Sequence, residues 1–599
     1  MRGCLTIRCF LGITFFYLLM AGAAYAQSSS PSPLATGNIK AANAAFLTGS
    51  EAYQRNDLRT AHAQFARVVR LAPNVAAGHA AFGTVLLAEN NPKAAVSELE
   101  LAHKLDPHDT NATLNLALTY VQLHDNARAI PLFQAVDDAH QPLSTQQVLA
   151  YASALDASSQ FATARVRIEE ALTASPQSAT LYDALGTLLA QREQYSEAEP
   201  HFQRAIALDP SLASVHYHLG SLYLAEGNPA SAVAPLTEAS RLSSSNLEYS
   251  LQLGRALRAS NRDEQSIATL RRALQLAPTS IDAMYELALS LQASGNASEA
   301  LPLFQQVAKV RPQDAPTLIN YALALVQVGD AKTAIPLYKR ALTLTPSNPT
   351  LREDLGVAYL QQADIDHAIE QFRAGLEVDP ANPHLHYDLG LAYKLKDDIN
   401  AAIPEFEQAA KLDPALPDPP YTLGILYMQL ARFPEAQVEL ERATTLQPGH
   451  GDAWAMLGNI YKQNDQPDKA IAALRRAIQL MPNEPSPHIT LASILVRQGD
   501  MTGAASERKI AADLSRLAVS RQRANFSLDS GRTLLKRGQM AEAITQLQAA
   551  VAADPDYAEA HAALAEALTQ QGRTADAALE RQRAQRLAQA QPPKPDSHP

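Results

Sequence analysis

The chain is short of the residues from which most sites and staples are built. It has two cysteines, Cys4 and Cys9, so no disulfide framework and no cysteine metal site can exist beyond the first nine residues. Aromatic residues are 6% of the whole, with a single tryptophan, Trp454, while alanine and leucine abound, which favours helices over a β-rich fold. The formal net charge of −11 lacks the broad basic footprint that a nucleic-acid partner requires. Phe10–Ala24 is the one long apolar run, and no later stretch is long enough to span a bilayer. There is no G-x-S-x-G, no H-E-x-x-H, no phosphate loop and no G-x-G-x-x-G. The pairs His216/His218 and His384/His386 stand two residues apart, a spacing that does not share a helix face. No catalytic residue, cofactor site or metal site is nominated.

What is there begins with an export signal. Arg2 and Arg8 precede the apolar run, and Ala24-Tyr25-Ala26 supplies a small-residue cleavage site. Residues 1–26 are therefore expected to be a signal peptide, leaving no transmembrane span after cleavage, with a destination in a bacterial periplasm or outside the cell. Both cysteines precede the apolar run, which argues against a lipid anchor. Residues 27–41, rich in serine and proline, read as a disordered linker.

The remainder repeats. LGSLY at 219–223, LGVAY at 355–359, LGLAY at 389–393, LGILY at 423–427 and LGNIY at 457–461 share a pattern, and Pro380, Pro414, Pro448 and Pro482 follow at intervals of 34 residues. Such a period marks a solenoid. Sixteen repeats start at residues 42, 76, 110, 145, 179, 213, 247, 281, 315, 349, 383, 417, 451, 485, 524 and 558. Within each, positions 4, 7, 8 and 11 fall on one face of a first helix and positions 20, 24 and 27 on one face of a second. Position 8 is glycine in ten repeats and alanine in six; position 20 is alanine in all but one, where it is Ser266. Small residues there let the paired helices approach closely, and large ones at 7, 11 and 24 fill the space beside them. Position 15 carries residues such as Asn56, Gly227 and Gly329, which tolerate the left-handed conformation that ends a helix. Position 22 is proline in five repeats, placing it in the first turn of the second helix, where its missing N–H costs little. Position 32 is proline in twelve repeats and stops that helix.

This pattern resembles the tetratricopeptide repeat, whose signature W-x2-L-G-x2-Y, then Ala, an aromatic, Ala and Pro, is matched in the thirteenth repeat by Trp454, Leu457, Gly458, Tyr461, Ala470, Leu474, Ala477 and Pro482. Trp454 thus occupies position 4, a recurring packing slot that holds Tyr182, Met284 and Leu318 elsewhere. The same slot holds His79, His216, His386, His488 and His561, expected to pack with a polar tip. The resemblance implies an all-α, TPR-type α-solenoid, a right-handed superhelix that serves as a protein-binding scaffold. It also implies that the first helices line a groove with ligand contacts at positions 2, 5, 9, 12 and 13, and 6 nearby. On those positions stand Tyr217, Tyr285, Tyr387 and Tyr421, and the acids Asp183, Glu248, Asp282, Glu286, Glu353, Asp354, Asp388, Asp418 and Asp452. Across repeats 5 to 13 only Arg255, Arg258, Lys394 and Lys462 oppose them. Such a groove suits an extended, basic peptide, with tyrosines giving apolar area and a hydrogen bond and acids steering the partner.

The array is expected to run regularly over residues 42–484. Residues 485–523 form an irregular repeat with a long basic helix, and two further repeats, 524–591, end in a capping helix before a disordered tail at 592–599. The basic stretch carries Arg508, Lys509, Arg516, Arg521 and Arg523. It reads as a solvated joint between two sub-arrays or as a docking patch for an acidic surface. The function expected is an exported scaffold for envelope or secretion assemblies. The alternatives are an accessory subunit of a separately encoded enzyme and a carbohydrate- or surface-polymer-binding protein.

Overall fold

A computed structural model of the chain describes residues 33–590. Those residues form thirty-one α-helices in tandem and no strand. The period places the helices: the first helix begins at the phased residue in thirteen repeats, and the second begins at position 17 in all sixteen, if the long helix Met501–Lys536 is counted as the second helix of repeat 14. By compactness the chain divides at the boundary between repeats 8 and 9, into an N-terminal half ending at Pro312 and a C-terminal half beginning at Gln313.

Two devices make each helical hairpin. At the turn, position 15 has a positive φ in all sixteen repeats, between 55° and 85°, and six of those residues are glycine. The N–H of position 16 then bonds back to the carbonyl of position 11, as from Asn91 to Leu86 and from Asn228 to Tyr223, both 2.8 Å, which satisfies carbonyls that the helix end leaves free. Position 16 also starts the second helix. In eight repeats an Asp or Asn there caps it with its side chain, as Asp57 does to the Thr60 N–H and Asp398 to the Ala401 N–H.

Between the helices, position 20 is at most 1% exposed in every repeat. Position 24 lies across position 8, and a Cβ added to Gly390 would stand 2.8 Å from Phe406 Cε1, one added to Gly83 2.6 Å from Leu99 Cγ. The glycines are there because the ring or branch of position 24 occupies that volume. Arg508 and Arg581, which replace the apolar residue at position 24, are exposed.

Trp454 is one copy of a recurring bond. Its indole N–H donates to the carbonyl of Pro448, six residues back, at 3.0 Å. The Nε2 of His79, His216, His386 and His561 meets the carbonyls of Pro73, Pro210, Pro380 and Pro555 at 2.9–3.1 Å in the same way. A ring nitrogen at position 4 thereby ties these five first helices to the proline that ended the previous repeat.

Three expectations need correction. The prolines at position 22 are not in the first turn: Pro131, Pro200, Pro302, Pro336 and Pro404 are the sixth residues of their helices. The first intrahelical bond is already made at position 20, from Ala61 to Asp57. Each proline therefore removes a bond to the carbonyl of position 18. The residues there, Ala127, Ser196, Ser298, Lys332 and Asn400, are exposed, so water can take the freed carbonyl. Second, the first helix runs Pro33–Gln54, so the end of the expected linker 27–41 is helical. A proline at a first helical position loses no bond, and no preceding repeat obstructs the extension. Third, the irregular stretch 485–523 does not divide the chain. The long helix Met501–Lys536 serves both as the second helix of repeat 14 and as the first of repeat 15, packing on Pro485–Arg497 with one half and on Met540–Ala553 with the other. The expected signal peptide 1–26 and the expected tail 592–599 lie outside the described residues.

Candidate groove on the first helices

First helices of several neighbouring repeats touch one another, as Pro349–Gln361 and Pro383–Leu395 do, and second helices do not do so to a comparable degree. The first helices therefore form the inner row, and their outward residues at positions 2, 5, 6, 9 and 12 share one surface.

In the N-terminal half that surface is electrostatically closed. Asp183 is paired with His218 at 2.7 Å. Asp282 is paired with Arg311 at 2.6 Å. Glu286, 4% exposed, receives Arg255 at 2.5 Å and Arg258 at 3.4 Å. Tyr217 stacks on Tyr249 with ring centroids 4.8 Å apart and donates to Glu248 at 3.4 Å. Tyr285 rests edge-on against Phe304 at 6.2 Å. The acids and two of the tyrosines nominated here are thus already engaged within the fold.

The C-terminal half differs. The partners of Glu286 lie 31 and 28 residues before it. The same register before Asp354 holds Leu323 and Val326, and before Asp388 holds Val357 and Leu360. Aliphatic side chains stand where the arginines stood. Burial, with Glu353 adding to it, pushes the Asp354 carboxyl up to about 6 and that of Asp388 up to about 7. Burial also raises Glu353, against a downward pull from His384. Among the described residues none of these three carboxylates has an ion-pair partner. Beside them Tyr387 packs on Phe406 at 5.4 Å, and Tyr421 on His450 at 4.4 Å. Burial raises both phenols, and acids add to it: Asp418 and Asp388 at Tyr387, Asp452 at Tyr421. Asp418 and Asp452 are exposed.

One residue of this site escaped sequence reasoning. Tyr338 is fully buried at position 24 of repeat 9, and its hydroxyl has no hydrogen-bond partner among the described residues. Burial, and then Asp354, raises it far above an ordinary phenol. The available signal was that position 24 is Phe, Leu or Ile in the other thirteen repeats where it is apolar, and tyrosine only here. Of the nominated residues, Tyr387, Tyr421, Glu353, Asp354, Asp388, Asp418 and Asp452 lie together on repeats 10 to 13; Tyr217, Tyr285 and Asp282 lie in the other half.

The basic residues of the long helix do not form one patch. Arg521 is bonded to Asp554, which is 2% exposed, and lies over the Tyr557 ring at 4.3 Å. Arg516 is paired with Asp513. Lys509, Arg516 and Arg523 recur every seven residues and share a face; Arg508 and Arg521 point elsewhere. Among the described residues no helix is long and apolar enough to cross a membrane.

Family models described as tetratricopeptide repeat match residues 46–110, 86–150, 217–281, 285–349, 325–391, 395–460 and 451–484. A model described as TPR repeat matches 186–227 and 531–572. Among curated proteins none matches. Similar solved structures include the Cut9–Hcn1 hetero-tetramer of the APC/C, at 17% identity over 78% of this chain and 99% of that one, with a TM-score of 0.36. Yeast Tom70 is 14% identical over 77% of this chain and 97% of its own, with a TM-score of 0.34. YrrB, described as a TPR protein with an unusual peptide-binding site, is 25% identical over 31% of this chain and 95% of its own, with a TM-score of 0.27.

Proposed function

The chain belongs to the tetratricopeptide-repeat family, and from that premise we propose that it is an exported scaffold that captures an extended, basic segment of a partner protein on the inner face of repeats 10 to 13. Its repeats make it a protein-interaction module. The observation that carries the finer reading is the unpaired acidic cluster of Glu353, Asp354 and Asp388 beside Tyr387 and Tyr421. These carboxylates resist ionisation because burial outweighs the pull of His384 on Glu353 and no lysine or arginine pairs with them among the described residues. A lysine or arginine of a partner would supply the missing charge, and the tyrosines offer rings against which its neighbours can lie. A surface already built on packed helices loses little freedom on binding, and several consecutive repeats add their contacts.

Capture should depend on pH. Below about 6 Asp354 and Asp388 are largely neutral, and above about 7 they are charged, so affinity for a cationic segment rises between those values. Replacing Asp354, Asp388 and Asp418 by lysine is expected to abolish capture of the native partner in a pull-down from host extract. Undiminished capture by that variant would overturn the reading. Export rests on Arg2, Arg8, the apolar run 10–24 and Ala24-Tyr25-Ala26. It is tested by N-terminal sequencing of the protein recovered from its host: a start at Gln27 is expected, and an intact N-terminus in the cytosolic fraction would refute it. Envelope and secretion assemblies are the setting that export suggests.

A further inference from the structure

At an ordinary junction between repeats, position 27 of one second helix meets position 3 of the next first helix. A Cβ added to Gly78 would stand 2.8 Å from Val68 Cγ1, and one added to Gly375 2.9 Å from Leu385 Cδ1. Position 3 is accordingly buried in twelve of the other fifteen repeats, and Leu181, Val215, Leu351, Leu385, Ala453 and Ala560 are all at most 1% exposed. In repeat 15 the position-3 residue is Phe526, and it is 77% exposed. The cause is the fusion of two helices into Met501–Lys536. The second-helix half has no following first helix to lie on it, and the first-helix half has no preceding second helix. One rod, about 54 Å long at 1.5 Å per residue, therefore carries both unfilled sides of a repeat junction.

Those two sides complement each other. Ala511, Ser515, Val519, Gln522 and Phe526 follow at steps of three and four and share a face of the helix. Val519 is 49% exposed and Ser515 and Gln522 are exposed, while Ala511, 4% exposed, is a shallow floor between the exposed Arg508 and Ser515. Arg508 and Asp529 extend that face at either end; both are exposed, and neither has an ion-pair partner among the described residues. A twofold axis at the point between Ala518 and Val519, which is also the midpoint of the helix, would set residues of this face opposite one another. Residues equidistant from it are Ala511 and Phe526, Ser515 and Gln522, Arg508 and Asp529.

We propose that a second copy of this chain lies antiparallel along Met501–Lys536 about a twofold axis at residues 518–519, each copy's Phe526 seating beside the other's Ala511 and each Arg508 pairing with the other's Asp529. The position-27 to position-3 contact of every regular junction is then rebuilt twice between copies. Consecutive helices of the array already run antiparallel, so the dyad reproduces the direction of the missing neighbour. A twofold interface requires a self-complementary patch, and this face meets that requirement in shape and charge. The open hollow beside Phe526, lined by Gln522, Arg523, Ser527 and Ala553, lies at the same edge.

The test is sedimentation equilibrium of the full chain with circular dichroism as the control for folding. The unaltered chain is expected to be a dimer at micromolar concentration, and Phe526→Asp to raise its dissociation constant roughly 100-fold, as loss of a central aromatic anchor does. Arg508→Asp and Asp529→Arg are each expected to weaken the dimer by about tenfold, and the double variant to restore it, because the swapped charges face each other again. A monomer at high micromolar concentration overturns the proposal, including one in which the helix bends near 518 and covers Phe526 within the same chain. So does a dimer indifferent to Phe526→Asp, or a double variant no stronger than the singles.

Discussion

Asp388→Asn should make the protein more stable at pH 8 and only about a third as much at pH 5. An ordinary aspartate ionises near 3.8, and Asp388 ionises near 7, chiefly because it is buried and secondly because Glu353 is close. A carboxyl that is harder to ionise in the fold than in the unfolded chain binds more protons when folded. Its burden is therefore absent well below 3.8, grows as pH rises, and is complete above about 7. Each tenfold difference in proton affinity corresponds to about 1.4 kcal/mol, so the burden is at most about 4 kcal/mol. Solvent reaching a half-buried groove reduces it to roughly 2 kcal/mol. Asparagine keeps the shape and removes the charge. The assay is urea unfolding followed through the fluorescence of Trp454, which reports from repeat 13, two repeats away; in an array, stability is a sum of local and nearest-neighbour contributions. The variant should gain about 2 kcal/mol at pH 8 and about 0.7 kcal/mol at pH 5. Equal effects at the two pH values, or a loss at pH 8, would refute the assignment. The same variant should bind the partner less well, so stability and capture would move in opposite directions.

Other substitutions test the packing. Gly390→Leu should destabilise the array by about 3 kcal/mol because Phe406 cannot yield that much space, whereas Gly390→Ala should stay within about 1 kcal/mol, since Ala117 and Ala288 already face Phe133 and Phe304 in the same slots; urea unfolding distinguishes them. Ala363→Gly and Ala431→Gly, at φ 57° and 56°, should each stabilise by about 0.5 kcal/mol, the relief of a left-handed alanine less the extra freedom of glycine in the unfolded chain; equal or lower melting temperatures would count against the turn geometry. Arg521→Ala should cost about 2 kcal/mol by stranding the buried Asp554 carboxylate, while Arg523→Ala should be neutral, as thermal unfolding of the two variants will show.

The period made the helices legible. Repetition averages away the weakness of any single turn or cap, and sixteen aligned copies disclose that position 8 must be small and position 24 large. The turn was legible for the same reason, although Glu193, Ala363 and Ala431 adopt positive φ with no help from their side chains. They do so because both flanking helices are held by packing. The prolines at position 22 misled because the local rule, that proline belongs in a first turn, competes with an outer face where water can take a freed carbonyl. Listing acids and bases by position also misled, because pairing crosses repeats: Glu286 reaches Arg255 at a distance of 31 residues, and Asp282 reaches Arg311 at 29. Charge counts treat Asp282 and Asp388 alike. The register between neighbouring repeats separates them, and the separation moves the candidate groove wholly into repeats 10 to 13. The open face of the long helix was equally hidden, since Phe526 is an unremarkable residue until its slot is known to be buried in twelve of the other fifteen repeats.

The central claim is that a partner lies along the inner face of repeats 10 to 13. Hydrogen–deuterium exchange of the full chain with its co-purified partner tests it most directly. The account predicts slowed exchange in Pro349–Gln361, Pro383–Leu395, Asp418–Gln429 and Gly451–Gln463, with the second helices of those repeats unchanged. Protection confined to the second helices, or to repeats before Pro312, would contradict it.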